Sequence, residues 1–176
     1  MEKIISDNLQ CIGQAIDLLN GIGADLYSRA SAETLGAGVG SHIRHNIDHY
    51  ESFLNRRSPE RIDYEDRQRD AQLETDPAAA YDRLAAVSAV LREFDTSGLD
   101  RAVEVKIENP GDRPESQWAT TTGRRELQFL LSHTVHHYAL IAMICRQHGA
   151  EMPDNFGVAP STLRYRQLAQ TAECAR

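Results

Sequence analysis

From Gly123 to His148 the chain contains no proline and is dense in Leu, Ile and Met, with Leu130, Ile141 and Ile144 recurring on one side of a helix. A helix that long gains most of its stability by covering its apolar face, so this segment commits the rest of the chain to supplying partners for it. Three other stretches qualify. Residues 3–29 carry Ile4, Ile5, Leu9, Ile12, Ile16 and Leu19 on one stripe, interrupted only around Gly21 and Gly23. After a glycine-rich loop at 36–40, residues 41–57 alternate at helical spacing and stop near Ser58-Pro59. Asp76 then stands as a capping residue before Pro77, and Tyr81, Leu84, Val87, Leu91 and Phe94 share a face that ends near Gly98. The expected fold class is all-α, a four-helix bundle, built as a single domain over residues 1–176.

Residues 59–76 are crowded with Arg, Asp and Glu and read as a solvated connection with at most a helical turn. Val103, Val105 and Ile107 alternate, the turn residues Asn109-Pro110-Gly111-Asp112 follow, and residues 117–122 complete a short hairpin before the last long helix. Beyond Pro153 and Pro160, Ser161 is placed to cap a final helical piece reaching toward Ala172.

The balance of 26 acidic against 19 basic residues gives a net charge of −7, which disfavours attraction to nucleic-acid phosphates or anionic lipid surfaces. Neither nucleic acid nor membrane is an expected partner. The longest apolar run, residues 138–145, falls far short of the roughly 20 residues of a membrane span. MEKIISDNLQ lacks the features of an export signal, so a cytoplasmic location is expected. Cys11, Cys145 and Cys174 are far apart and show no CxxC spacing, suggesting neither a disulfide framework nor a thiolate zinc site.

Histidine is where the chemistry concentrates. Six of the seven lie in two clusters, His42, His45 and His49 in SHIRHNIDHY and His133, His136 and His137 in SHTVHHY, with His148 beyond the second. Imidazole is largely neutral near pH 7 and is the commonest side-chain ligand for metals such as zinc, so inward-facing clusters in a bundle can build a metal site. At 100° per residue, His133 and His137 fall about 40° apart on the side of Leu130, Ile141 and Ile144, whereas His136 turns about 60° the other way. On the second helix His42 and His49 nearly superpose, and His45 sits about 60° from His42, away from Ile43, Ile47, Tyr50 and Leu54. Periodicity therefore prefers His42 or His49 as the inward ring of that helix. A third imidazole added to the HxxxH pair would leave a tetrahedral metal one open position, the pattern of catalytic rather than structural sites. Asp48, opposite the apolar arc, reads as a solvated carboxylate, and Tyr50 and Tyr138 read as core rings.

The segments GSHIRHNIDHYESFL, RELQFLLSHTVHHYALIAMI and FGVAPSTLRYR resemble the DinB/YfiT-like superfamily, in order and over nearly the whole chain. The resemblance implies a four-helix bundle holding a divalent metal ion, zinc, nickel or iron, on three histidines. Carried onto this chain they are His45, which stands in a His-x-x-Asp pattern with Asp48, and His133 and His137 of HxxxH. It further implies a metal-dependent transferase that activates a low-molecular-weight thiol, or water, toward a small electrophile, with Asp48 or His49 orienting a ligand or accepting a proton. The alternative it allows is a non-catalytic or stress-associated metal-binding bundle, and in either case a homodimer is possible.

Overall fold

The apolar stripes form four long helices in the structure, a computed structural model that describes residues 1–30, 36–55, 61–106 and 118–174. In chain order the helices are α1 (Lys3–Gly21), α2 (Ala24–Ser28), α3 (Val39–Leu54), α4 (Gln72–Thr75), α5 (Pro77–Arg92), α6 (Gly123–Gln147) and α7 (Pro160–Cys174). Helix α1 packs on α5 and α6, and so does α3, so α1 and α3 occupy one diagonal of the bundle and α5 and α6 the other. The core between them takes Ile5 and Ile12 from α1, Ile43, Ile47 and Phe53 from α3, Leu84 and Leu91 from α5, and Leu127, Leu130 and Ile141 from α6. Tyr50 and Tyr138 are core rings, each 1% exposed. The family fold expected from the sequence is thus the one adopted.

Local chemistry sets the helix ends. Asp76 accepts hydrogen bonds from the backbone N–H groups of Ala78 and Ala79, and Pro77 occupies the first turn of α5, as the sequence predicts. The Thr122 hydroxyl accepts from the Arg125 N–H at the start of α6. Helix α3 begins at Val39, inside the expected glycine loop, with the Gly38 N–H donating to Ser41 Oγ at 2.8 Å. Gly40 is therefore a packing residue: a Cβ there would lie 2.0 Å from the Glu74 carbonyl oxygen, so only glycine lets α3 pass this close to α4. Tyr81, expected on the buried face of α5, is instead 36% exposed, and α5 stops at Arg92 ahead of a 3-10 turn at Thr96–Gly98. Ser161 lies within the first turn of α7, which starts at Pro160, rather than ahead of it.

The charged connection holds more structure than its composition suggests. Arg61–Ile62 forms strand β1, which pairs in parallel with β2 (Ala102–Lys106), and β2 pairs antiparallel with β3 (Trp118–Thr122) in the register Val103↔Thr121 and Val105↔Ala119. Ile62 is fully buried. A two-residue strand has no alternation to read; its neighbour supplies the ordering, and its one apolar side chain is the only local trace of it. The hairpin is present as β2 and β3, while Ile107, the expected turn at 109–112, Gln117 and Ser58-Pro59 lie outside the described residues. No helix among the described residues is long and apolar enough to cross a membrane.

Candidate metal centre

Where α3 runs against α6, the two histidine clusters meet. Ring centroids of His45 and His49 are 4.3 Å apart, and those of His49 and His133, of His45 and His137, and of His133 and His137 are each 4.5 Å apart. His45 and His133 are 5.0 Å apart by the same measure and bring their Nε2 atoms to 2.8 Å. His42 completes the row, its Nδ1 lying 2.9 Å from Nδ1 of His137.

The three rings expected as ligands, His45, His133 and His137, are in mutual ring contact. Among the described residues, His45, His49 and His133 each offer a ring nitrogen, and these nitrogens lie within 4.8 Å of one another. His137 turns its Nδ1 to His42. Both rings that periodicity favours on this helix, His42 and His49, are buried, at 8% and 7% exposure, and His45 joins them because α6 covers a wide arc of α3. His136 is exposed beside His137, at 5.3 Å between ring centroids, and His148 is exposed at the end of α6.

Surrounding groups fix how these imidazoles are protonated. The His49 Nδ1–H donates to the His45 carbonyl oxygen at 2.8 Å, which leaves the Nε2 lone pair of His49 for another partner. Arg67 does the opposite to His45. Its guanidinium has only donors, so at 3.1 Å from Nδ1 it makes that nitrogen the acceptor and puts the proton of neutral His45 on Nε2, facing His133. Burial is the first cause that lowers the basicity of the rings, followed for His45, His133 and His137 by neighbouring imidazoles, with Arg67 adding to the effect at His45, His49 and His133. His45 is brought down to about 2, His137 to about 3, and His49 and His133 to about 4, and His42 is lowered as well. These rings are neutral at physiological pH, the state a metal ligand requires.

An aromatic wall closes one side. Tyr64 stacks on His49 with an interplanar angle of 16°, and Phe129 stacks on His133 at 27°. The Tyr64 hydroxyl donates to Glu126 Oε2 at 3.0 Å, and the Thr121 hydroxyl donates to Glu126 Oε1 at 2.7 Å, so a buried carboxylate ties the connection to β3 and α6. Asp48 is 3% exposed and paired with Arg44, which also reaches Glu74; it is a buried ion-pair member, because α4 packs over the face of α3 that the sequence reads as solvated. Next to this pair opens a cavity of about 380 Å³ whose lining includes Asp48, Glu51, Arg61, Asp63, Arg67 and Trp118. Arg67 belongs to both the cavity and the histidine cluster.

Sequence reasoning passes over Tyr64, Arg67, Trp118 and Glu126. The available signal is Ile62 and Tyr64, two apolar bodies spaced as on one strand face inside an otherwise charged tract. Cys11 and Cys145 are buried and free, and burial raises the Cys11 thiol to about 12 and the Cys145 thiol as well, which holds both in the neutral thiol form near pH 7.

A family model described as the DinB superfamily matches residues 13–141, a span that includes all six clustered histidines. A curated relative, FK506-binding protein 5 of Rhizopus delemar, is 32% identical over 105 residues, covering 59% of this chain and 27% of that protein. The match thus takes in about a quarter of that relative's length. No solved structure matches the chain.

Proposed function

The chain belongs to the DinB superfamily, and on that premise we propose that it binds a divalent metal ion in its histidine cluster and uses it to activate a low-molecular-weight thiol, or water, toward a small electrophilic substrate. The observation that carries the reading is the convergence of ring nitrogens from His45, His49 and His133 within 4.8 Å. Zinc–imidazole distances of about 2.0–2.1 Å require donor atoms roughly 3.4 Å apart, so small ring rotations suffice to seat an ion.

The donor set fits. All the converging rings are neutral, His49 already turns its single ring proton on Nδ1 toward a carbonyl, and an all-imidazole set suits zinc, nickel or ferrous iron. His45 and His133 belong both to this set and to the family pattern; His49 is the third donor by geometry, and His137 is the third by resemblance. When bound, the metal supplies Lewis acidity that lowers the pKa of a thiol or water in its open position. The protein's own groups do the rest. Tyr64 and Phe129 keep bulk water from one side of the rings. The cavity beside Arg67 offers charged groups of both signs and the Trp118 face to a small polar substrate. Arg67 orients His45 through Nδ1, so His45 Nε2 would become a ligand only with the ring's proton moved to Nδ1 and the Arg67 contact at that atom broken.

The test is metal analysis of the purified protein with His45→Ala and His133→Ala alongside, followed by thiol conjugation against a panel of electrophiles. Stoichiometric metal lost in both folded variants, with turnover that needs the metal, is the expected result. Metal without turnover of any thiol–electrophile pair would leave a binding protein, and the absence of metal would end the reading.

A further inference from the structure

A metal-bound imidazole carries its one proton on the nitrogen turned away from the ion, and as a rule gives it to a fixed acceptor close by. At His137 the atom in that place is Nδ1 of His42, 2.9 Å from Nδ1 of His137. We propose that His42 is a positioning residue for the metal: it accepts the Nδ1–H of His137, and by fixing that tautomer and the angle of the ring it keeps the Nε2 lone pair of His137 for the ion held by His45 and His133. This builds on the metal-binding reading above and takes His137, the second histidine of HxxxH, as the third ligand.

The contact is an ordinary hydrogen bond between two imidazoles that burial keeps neutral, so one of the two rings donates and the other accepts. If His42 donated, the proton of His137 would sit on Nε2 and that atom would have nothing to offer a cation. With an ion on Nε2 the direction is settled: His137 donates, and His42 accepts at Nδ1 and carries its own proton on Nε2. His42 stands in the right place to act through its neighbour. The rings of His45, His133 and His137 each touch the other two, whereas His42 meets His137 at 5.1 Å between centroids, on the side away from that triangle. It is 8% exposed, so water does not compete freely for the bond.

A second buried residue completes the line. Among the described residues, His42 Nε2 has no hydrogen-bond partner, and neither has the amide oxygen or nitrogen of Asn46, which is 2% exposed. Buried polar atoms are seldom left so. Asn46 stands four residues after His42 and about 40° round the same face of α3, a spacing at which helical side chains are neighbours. Once His42 carries its proton on Nε2, that N–H is a donor and Asn46 Oδ1 is an acceptor one turn along. A rotation of the amide is all the second link requires, and the resulting chain runs from the ligand His137 through His42 to Asn46 in the core.

Zinc affinity of the metal-free full chain, measured by chelator competition, tests this together with long-range proton–nitrogen NMR of the zinc-loaded, histidine-labelled protein. In the wild type His137 is expected to be protonated on Nδ1, with that proton protected from exchange. A folded His42→Leu is expected to keep one equivalent of zinc, bind it about 10–100-fold more weakly and lose the protected proton. His42→Asn puts an oxygen where Nδ1 stood without restoring the bulk of the ring, and is expected to recover most of the affinity. Asn46→Leu is expected to weaken binding by a smaller factor, and the exposed His136→Ala to leave it unchanged. If His42→Leu fails to fold, the His137 tautomer and the affinity of His42→Asn decide. Wild-type affinity in a folded His42→Leu, or zinc-loaded His137 protonated on Nε2, would overturn the role of His42 while leaving the metal site intact. So would affinity as low as that of His137→Ala in both His42 variants, which would make His42 a ligand, or full affinity in His137→Ala with loss in His49→Ala, which would make His49 the third ligand. No zinc uptake by the wild type would sink both readings.

Discussion

Lowering the pH of the metal-free protein from about 7 to about 5 should cost it much of its stability, because the histidine cluster is neutral when folded and basic when unfolded. In the unfolded chain each imidazole titrates near 6.5, whereas in the fold His45, His137, His49 and His133 are held at about 2, 3, 4 and 4. These folded values are depressed, so below about pH 6.5 the unfolded state takes up protons that the native state refuses, and stability present above that pH is lost as the pH falls. Integrating between about pH 7 and 5 gives about 2 kcal/mol for each ring that stays neutral. The rings are mutually coupled, so a total of roughly 4–7 kcal/mol is expected from the four, set against about 5–15 kcal/mol for a whole domain. Asp63, whose carboxyl is held below the ordinary carboxylate range by the backbone N–H of Glu65 and by Lys106, acts in the same direction but outside this window. Urea unfolding followed by far-ultraviolet circular dichroism, in chelator at the two pH values, measures the difference. His137→Gln should reduce the pH dependence by about one ring's share. A urea midpoint that stays the same at both pH values would refute the argument, since it would mean that the rings are protonated in the fold as readily as outside it.

Gly40→Ala should destabilise the fold by about 1–3 kcal/mol or more in the same urea assay, because the new methyl group runs into the Glu74 carbonyl; a neutral outcome would show that α3 and α4 separate freely. Asp76→Ala should cost about 1 kcal/mol through loss of the cap on α5, and Asp76→Asn should recover most of it. Arg67→Met should raise zinc affinity on the order of tenfold, measured by chelator competition, because no donor then holds His45 with its proton on Nε2; weaker binding would show that Arg67 supports the ligand geometry instead.

What the sequence reveals of this fold follows the range of the forces involved. Helix α6, the Asp76 cap and the inward pairing of His133 with His137 are set by residues within a turn or two of one another, so spacing and local chemistry expose them. On α3 the inward arc picks out His42 and His49, and the structure brings His45 to the cluster as well, because neighbours rather than pattern decide how wide an arc a helix buries. Asp48 is the sharper case: its surroundings depend on α4, separated from it by the charged connection, and nothing in its own helix announces that cover. The same holds for Arg67 and Tyr64. Their tract has the composition of a solvated linker, and what orders it is a strand pairing made to Glu104 and Val105, some forty residues away.

Glu126 gathers three parts of the molecule on two oxygen atoms: Tyr64 from the connection, Thr121 from the sheet and the first turn of the helix that bears His133. The Tyr64 plate over His49 is therefore latched rather than loosely resting, and the doorway to the imidazoles on that side has a width set by a carboxylate rather than by the rings. A descendant of this scaffold that needs to admit a bulkier guest has no reason to alter a single histidine. Trimming the latch, through Glu126 or the Tyr64 hydroxyl, frees the plate and leaves the floor beneath it as it was.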